Sequence, residues 1–283
     1  MSAMSGECVI VALAGRRYAV ERNWGRLPAG IAPAMVSQVA VDGEDRVHVF
    51  RRGIPPVAVF TSDGSFAFGY GEGRIGDSHG IYIDHNDRVF LADRDSHEVV
   101  VCTTHGTELM RLGERCVPRW ELPFSHPTDA AVAADGDIYV SDGYGNARIH
   151  RFASDGRYLG GWGRVGILPG EFMTPHAVWV DRQDRVLVAD RENDRIQLFN
   201  RDGGFIAEWR GLSRPMDIYE DPELGVIYVS DMIPSLTAFA PDGTRLGRCR
   251  PSLNGAHGIF GDSAGNIFLT EIQPSCVTRM RRL

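Results

Sequence analysis

The sequence predicts an all-β fold, a six-bladed β-propeller occupying residues 1–283 as one domain. Three observations lead there. A strand ending in aspartate, followed by a turn and a second strand, occurs six times, with the aspartates at Asp42, Asp84, Asp135, Asp181, Asp221 and Asp262. Their intervals of 42, 51, 46, 40 and 41 residues suit propeller blades rather than helical repeats. No helical periodicity of useful length appears, while 33 glycines and 15 prolines provide turns for many short strands. Finally, the two chain ends complement each other.

The elements follow in order. The run 8–14 is apolar but short, and no Lys or Arg precedes it, so it reads as a first β-strand rather than a signal peptide. The second strands of the copies, 46–50, 88–92, 137–141, 185–189, 226–230 and 266–270, are rich in β-branched and aromatic residues, as buried strands are. Third strands follow, for example 148–152 and 195–199. Hairpin signals at Asp63-Gly64, Asp155-Gly156, Asp202-Gly203 and Asp242-Gly243 then lead into a fourth strand in four copies, as at 158–163 and 205–209. The sixth copy stops after its third strand, and 17–25 resembles the closing strands. This N-terminal strand should complete the last blade and close the ring, which removes an open edge.

Bulk composition narrows the function. The net charge of -7 includes no basic block, so nucleic acid is not an expected partner. The five cysteines show no C-x-x-C spacing and are odd in number, which argues against a disulfide framework. No segment has the length to span a membrane. A cytoplasmic location is the expectation; the oligomeric state is not legible.

In a propeller the first strand of each blade lines the axis. One register across the blades reads Ser37, His79, Thr128, His176, Met216, His257, and the next reads Gln38, Gly80, Asp129, Ala177, Asp217, Gly258. Histidines on alternate blades converge, which is the layout of a metal with three protein ligands and an open position. A lone histidine here would be a hydrogen-bonded structural residue; three at one register favour a metal. Zinc suits neutral imidazoles, and ligand type alone leaves iron, cobalt and copper open. Asp129 and Asp217 either orient the ligating rings or make channel-wall hydrogen bonds. The turn after the second strand gives another ring: Arg52, Arg94, Gly143 with Tyr144, Arg191, Met232 and Ile272. Arginines above a metal suit a carboxylate, and Tyr144 suits a proton-transfer role. A small anionic substrate follows. His48, His85, His97, His105, His126 and His150 share no register and read as loop or strand-surface residues.

The segments from His126-Pro127-Thr128-Asp129 through Ser141-Asp142-Gly143-Tyr144-Gly145-Asn146-Ala147-Arg148-Ile149 to Ala189-Asp190-Arg191-Glu192-Asn193-Asp194-Arg195-Ile196-Gln197 resemble the lyase domain of peptidylglycine alpha-amidating enzymes, which are NHL-repeat propellers. The likeness extends across essentially the whole chain. It implies zinc at His79, His176 and His257, a catalytic Tyr144, and substrate-binding Arg52 and Arg191. The implied reaction splits an N-acyl α-hydroxyglycine into a primary amide and glyoxylate. Met216, at the histidine register, and Arg94 are expected beside the substrate. Arg94 stands where the resemblance leads to an apolar residue. Either it faces the cavity, and the substrate carries a second anionic group, or it turns away to pair with Asp95 or Glu98.

The resemblance also implies a structural calcium on the carbonyls of Val39 and Ile81 plus an aspartate where this chain has Gly258, so calcium is not expected. Its disulfide positions fall on Ser125, Gly145, Leu187 and Leu198, which suits a reducing compartment. Two other readings remain: a metal-dependent lactonase, whose calcium would need acidic and amide ligands, and a non-catalytic NHL binding module.

Overall fold

The computed structural model describes residues 9–283, and its sheets form six blades arranged around an axis. From the axis outward, blade 1 is Val36–Val41, Val47–Arg51, Val57–Phe60 and Phe66–Tyr70, and blade 2 is Ser78–Ile83, Arg88–Asp93, Glu98–Thr103 and Glu108–Gly113. Blade 3 is Asp129–Val132, Ile138–Asp142, Arg148–Phe152 and Tyr158–Trp162, and blade 4 is Pro175–Val180, Val186–Asp190, Arg195–Phe199 and Phe205–Trp209. Blade 5 is Pro215–Glu220, Ile227–Asp231, Leu236–Phe239 and Arg245–Cys249. Blade 6 has Ala256–Gly261, Ile267–Glu271 and Cys276–Arg282 from the C-terminus, and Arg16–Trp24 then Val9–Leu13 from the N-terminus. The only helical element among the described residues is a 3-10 turn at Arg191–Asn193.

The repeated aspartate makes the turn that follows it. Asp42 Oδ1 accepts the backbone N–H groups of Glu44 and Arg46, and Oδ2 pairs with Arg46 Nε at 2.7 Å. Asp84 with Arg88 and Asp181 with Arg185 repeat the arrangement. Such side-chain acceptors give the chain a local alternative to the ladder and so end the strand. Five copies, rather than the expected four, carry their own fourth strand. The extra one, Glu108–Gly113 in blade 2, follows a turn without Asp-Gly; Gly106 supplies the left-handed residue at φ +81°.

The apolar core is a ring of six clusters, one in each gap between neighbouring blades. Each sheet is therefore buried on both faces, which is why the second strands read as continuous apolar runs. Closure works as expected: Arg16–Trp24 pairs antiparallel with Cys276–Arg282, Val20 opposite Met280 and Trp24 opposite Val277. The first strand, Val9–Leu13, lies outside it as a fifth strand; Cys8 lies outside the described residues.

The reading of the leftover histidines as loop or strand-surface residues fails for two. His48 and His150 are fully buried. His48 bonds Asp42 and Tyr70 through its two ring nitrogens, and His150 bonds Asp142 and Tyr158. Buried imidazoles persist when both nitrogens have partners. The cysteines among the described residues are unpaired. Among the described residues no helix is long and apolar enough to cross a membrane.

Candidate metal centre

His79, His176 and His257 meet on the axis. One ring nitrogen of each lies within 4.8 Å of the others, and the ring centroids are 5.0, 5.0 and 4.8 Å apart. The orientation comes from the neighbouring blades. His79 Nδ1 donates to the carbonyl of Thr128 at 2.7 Å, His176 Nδ1 to Met216 at 2.7 Å, and His257 Nδ1 to Ser37 at 3.0 Å. Each acceptor is the residue at the histidine's own register on the next blade. A protonated Nδ1 leaves Nε2 with its lone pair toward the axis, the tautomer a ligand needs. Nε2 of His176 is buried with no partner among the described residues.

All three imidazoles are held neutral. Burial lowers the pKa of His79 and His176 well below the ordinary value, and a charge on a neighbouring histidine would lower each further. Burial brings His257 down to about 4. Three neutral, converging nitrogens, one with no hydrogen-bond partner, fit a divalent transition metal.

The layer beneath alternates in the opposite sense. Asp129 Oδ2 accepts from Val178 N at 3.2 Å, Asp217 Oδ2 from Ile259 N at 2.8 Å, and Gln38 Oε1 from Ile81 N at 2.5 Å. These three side chains do not orient the histidines; backbone carbonyls do that. They cap N–H groups on the inner edge of the following blade, which is the channel-wall reading of the two aspartates. Burial raises the pKa of both Asp129 and Asp217.

The calcium position implied by the resemblance is not matched by these residues. Gly258 offers no carboxylate, and a Cβ there would lie 2.6 Å from Gln38 Cγ. Gln38 donates Nε2 to Asp217 Oδ2 at 2.7 Å while accepting from Ile81. An amide therefore fills the space beside Ile81. Val39 and Ile81 are themselves buried on the inner strands.

Tyr144 and the arginines sit at the mouth. Gly143 lies against the carbonyl of Pro175, where a Cβ would be 2.2 Å from the oxygen; this close approach brings Tyr144 over the triad. The phenol oxygen lies 3.1 Å from His79 Nε2 and accepts from Arg191 Nη1 at 3.1 Å. The backbone N–H groups of Arg94 and Arg191 bond the carbonyls of Asp77 and Thr174, two residues before His79 and His176. That places the guanidinium groups of Arg94 and Arg191 at 5.6 and 5.3 Å from the centroid of the Tyr144 ring. Arg52 pairs with Asp77 at 2.9 Å, and Arg191 with Glu192 at 2.8 Å.

Arg94 combines the two expected outcomes. It pairs with Asp95 at 2.9 Å and with Asp77 at 2.8 Å, while its guanidinium stays against Tyr144. Glu98 is not its partner; that carboxylate takes Arg111 and Arg115. Met216 is buried in the wall of the axial cavity. Sequence reasoning missed Asp77 and Glu192, which restrain the arginines. Their only signal was position, since Asp77 lies two residues before a histidine and Glu192 directly follows Arg191.

The NHL repeat family profile matches residues 124–152. The chain is 34% identical over 152 residues to the probable peptidyl-alpha-hydroxyglycine alpha-amidating lyase pgal-1 of Caenorhabditis elegans, covering 51% of this chain and 43% of that protein. Rat peptidylglycine alpha-amidating monooxygenase is 38% identical over 133 residues, covering 44% of this chain and 14% of its own length. Human NHL repeat-containing protein 3 is 33% identical over 246 residues, 81% of this chain and 65% of that one. The chain carries an NHL repeat and has amidating lyases among its relatives. It spans less than two thirds of each of these three proteins.

Two solved structures share the fold: a virginiamycin B lyase from Staphylococcus aureus (TM-score 0.68, 14% identity, 93% of this chain and 85% of that one) and a gluconolactonase from Xanthomonas campestris (TM-score 0.68, 16% identity, 96% and 91%). The disulfide positions from the resemblance also fall on contacting residues. Leu187 faces Leu198 across the ladder, and a Cβ on Gly145 would touch Ser125.

Proposed function

We propose that the protein is a zinc-dependent lyase that cleaves the C–N bond of a small α-hydroxy-N-acyl amino acid, or a related carbinolamide acid, to an amide and a 2-oxo acid such as glyoxylate. The observation that carries this reading is the phenol of Tyr144 held between His79 Nε2 and Arg191 at the mouth of the histidine triad. Proteins named as amidating lyases among the relatives support it.

Zinc held by His79, His176 and His257 would supply a Lewis acid for the carbinol oxygen. Tyr144 would take the proton of the carbinol hydroxyl. As the carbon–oxygen double bond forms, the C–N bond breaks, and the same proton returns to the departing nitrogen, so the products are neutral amide and 2-oxo acid. Arg191, hydrogen-bonded to the phenol, would stabilise negative charge on its oxygen. Arg52 would bind the substrate carboxylate. Arg94 already faces two carboxylates, Asp77 and Asp95, so we favour a singly anionic substrate, with Arg94 packed on Tyr144 and fixing Asp77, which in turn holds Arg52.

A lactonase of the calcium type would need oxygen ligands at the triad layer. Gln38, Asp129 and Asp217 lie one residue further along and cap backbone N–H groups instead. A non-catalytic binding module remains the other reading, and the human relative's name gives an NHL repeat without an activity. The deciding assay follows 2-oxo acid release from α-hydroxyhippurate. We expect release that a chelator abolishes and added zinc restores. No release by metal-loaded protein, together with lactone hydrolysis or no turnover of either compound, would refute the lyase.

A further inference from the structure

The gap between blades 6 and 1 is built differently from the other five. In blades 2 to 6 the second strand ends in a fully buried acid, Asp93, Asp142, Asp190, Asp231 or Glu271. Each accepts backbone N–H groups from the loop arriving from the preceding blade, for example Gly76 and Asp77 on Asp93, Ser125 on Asp142 and Met173 on Asp190. Blade 1 has Arg51 at this register, only 2% exposed. Its Nη2 reaches the carbonyl of Ala32, its Nη1 has no partner, and it forms no ion pair among the described residues. A buried cation without a counter-charge is costly, and proteins ordinarily pair it.

Two more replacements make room beside Arg51. On the third strand, the residue facing Val140, Val188, Val229 or Leu269 is His150, Gln197, Thr237 or Thr278 in blades 3 to 6; in blade 1 Ala58 faces Val49. In blades 3 and 4 the incoming loop also places a fully buried phenyl ring, Phe124 or Phe172, against the glycine closing the preceding outer strand, Gly113 or Gly163. The loop entering blade 1 brings Pro33 and Ala34 instead. What remains is a cavity of about 150 Å³ walled by Trp24, Leu27, Val36 and Phe60, with Arg51 and Cys276 in its lining.

We propose that this cavity binds a small aromatic carboxylate. The ring would take the place that Phe124 and Phe172 fill in other gaps, and the carboxylate would take the place of the missing acid and pair with Arg51. An apolar space of this size accepts a benzene ring, and a guanidinium offers a carboxylate two parallel hydrogen bonds. The cavity shares no lining residue with the histidine triad.

The test uses 4-fluorobenzoate as the probe and the whole protein. Because carboxylates also suit the mouth of the triad, binding is located by alkylation of Cys276, mapped by mass spectrometry, with exposed Cys116 as the internal control. We expect 4-fluorobenzoate to slow Cys276 modification without affecting Cys116, and 4-fluorobenzyl alcohol, its neutral counterpart, to protect about tenfold less well. Arg51→Met should weaken protection by about tenfold or more, and Arg51→Lys, which keeps the charge but not the two parallel hydrogen bonds, should retain only part of it. Absence of protection in the wild-type protein at saturating probe, or equal protection by the alcohol, overturns the proposal even if Arg51→Met fails to fold.

Discussion

Tyr144 is the residue on which the proposed chemistry turns, because its oxygen touches both a candidate ligand and a guanidinium. Removing that oxygen leaves the triad and the arginines in place. Tyr144→Phe should therefore lower kcat about 100-fold or more with a small change in KM, as expected for a lost proton-transfer group. Arg52→Ala should raise KM and lower kcat together, since the same guanidinium would serve bound substrate and transition state. Steady-state kinetics on the metal-loaded variants separates the two. A raised KM with kcat unchanged for Tyr144→Phe would make the phenol a binding group instead. At this scale the sequence was informative about which residues assemble and poor about what restrains them. His79, His176 and His257 share a register that repeats can be aligned on, so their convergence was legible. Asp77, which pairs with both Arg52 and Arg94, carries no periodic signal, because it acts through salt bridges across 25 and 17 residues of chain.

Among the inner strands, two sets of hydrogen bonds hold the axis together. Even blades reach forward through histidine Nδ1 to a carbonyl, and odd blades reach forward through Gln38, Asp129 or Asp217 to an N–H. Three of these six bonds end on a backbone oxygen, which has no residue identity, so the orientation of the histidines could not be read from side-chain types. Asp129 and Asp217 were visible at the right register, but their use on N–H groups required the strand spacing. Gln38 and Gly258 form one unit in this scheme, since the amide stem occupies the space where any side chain at 258 would begin. Gly258→Asp should therefore cost about 2 kcal/mol or more through overpacking. Combining it with Gln38→Gly should relieve the closest contact, leaving Thr270 Oγ1 and the Cα of residue 38 beside the new Cβ, and restore a carboxylate on the axis. Thermal melts with and without calcium test this. The double variant should gain stability from calcium, and the wild type should not. A wild-type melting temperature that falls on calcium chelation and recovers on adding calcium would show that Gln38 does not stand in for an ion.

For the whole molecule, the candidate metal centre depends on closure, because its three histidines come from blades 2, 4 and 6, and blade 6 is built from both ends of the chain. The repeat made the ring legible before the structure, since each copy lacks a way to bury both faces alone and the last copy lacks one strand. The fifth strand of blade 6 was legible only as a strand, because nothing in an apolar run such as 9–13 states which edge it joins. The two N-terminal strands differ in burial. Val9 and Ile10 are each 48% exposed, whereas Tyr18 and Ala19 are buried between Val9–Leu13 and Cys276–Arg282, and Trp24 packs edge-on against Phe268. Removing residues 1–13 should consequently leave a folded ring, with the melting temperature lowered by about 2–6 °C through loss of Leu13 from the gap between blades 5 and 6. Removing residues 1–24 should abolish the cooperative melt, because it exposes the edge of Cys276–Arg282 and empties two of the six core clusters of Tyr18 and Trp24. Zinc uptake should track closure, near one ion per chain in the first truncation and lost in the second. Stoichiometric zinc on the longer truncation would mean that His257 keeps its place without the N-terminal strands, and that closure serves stability alone.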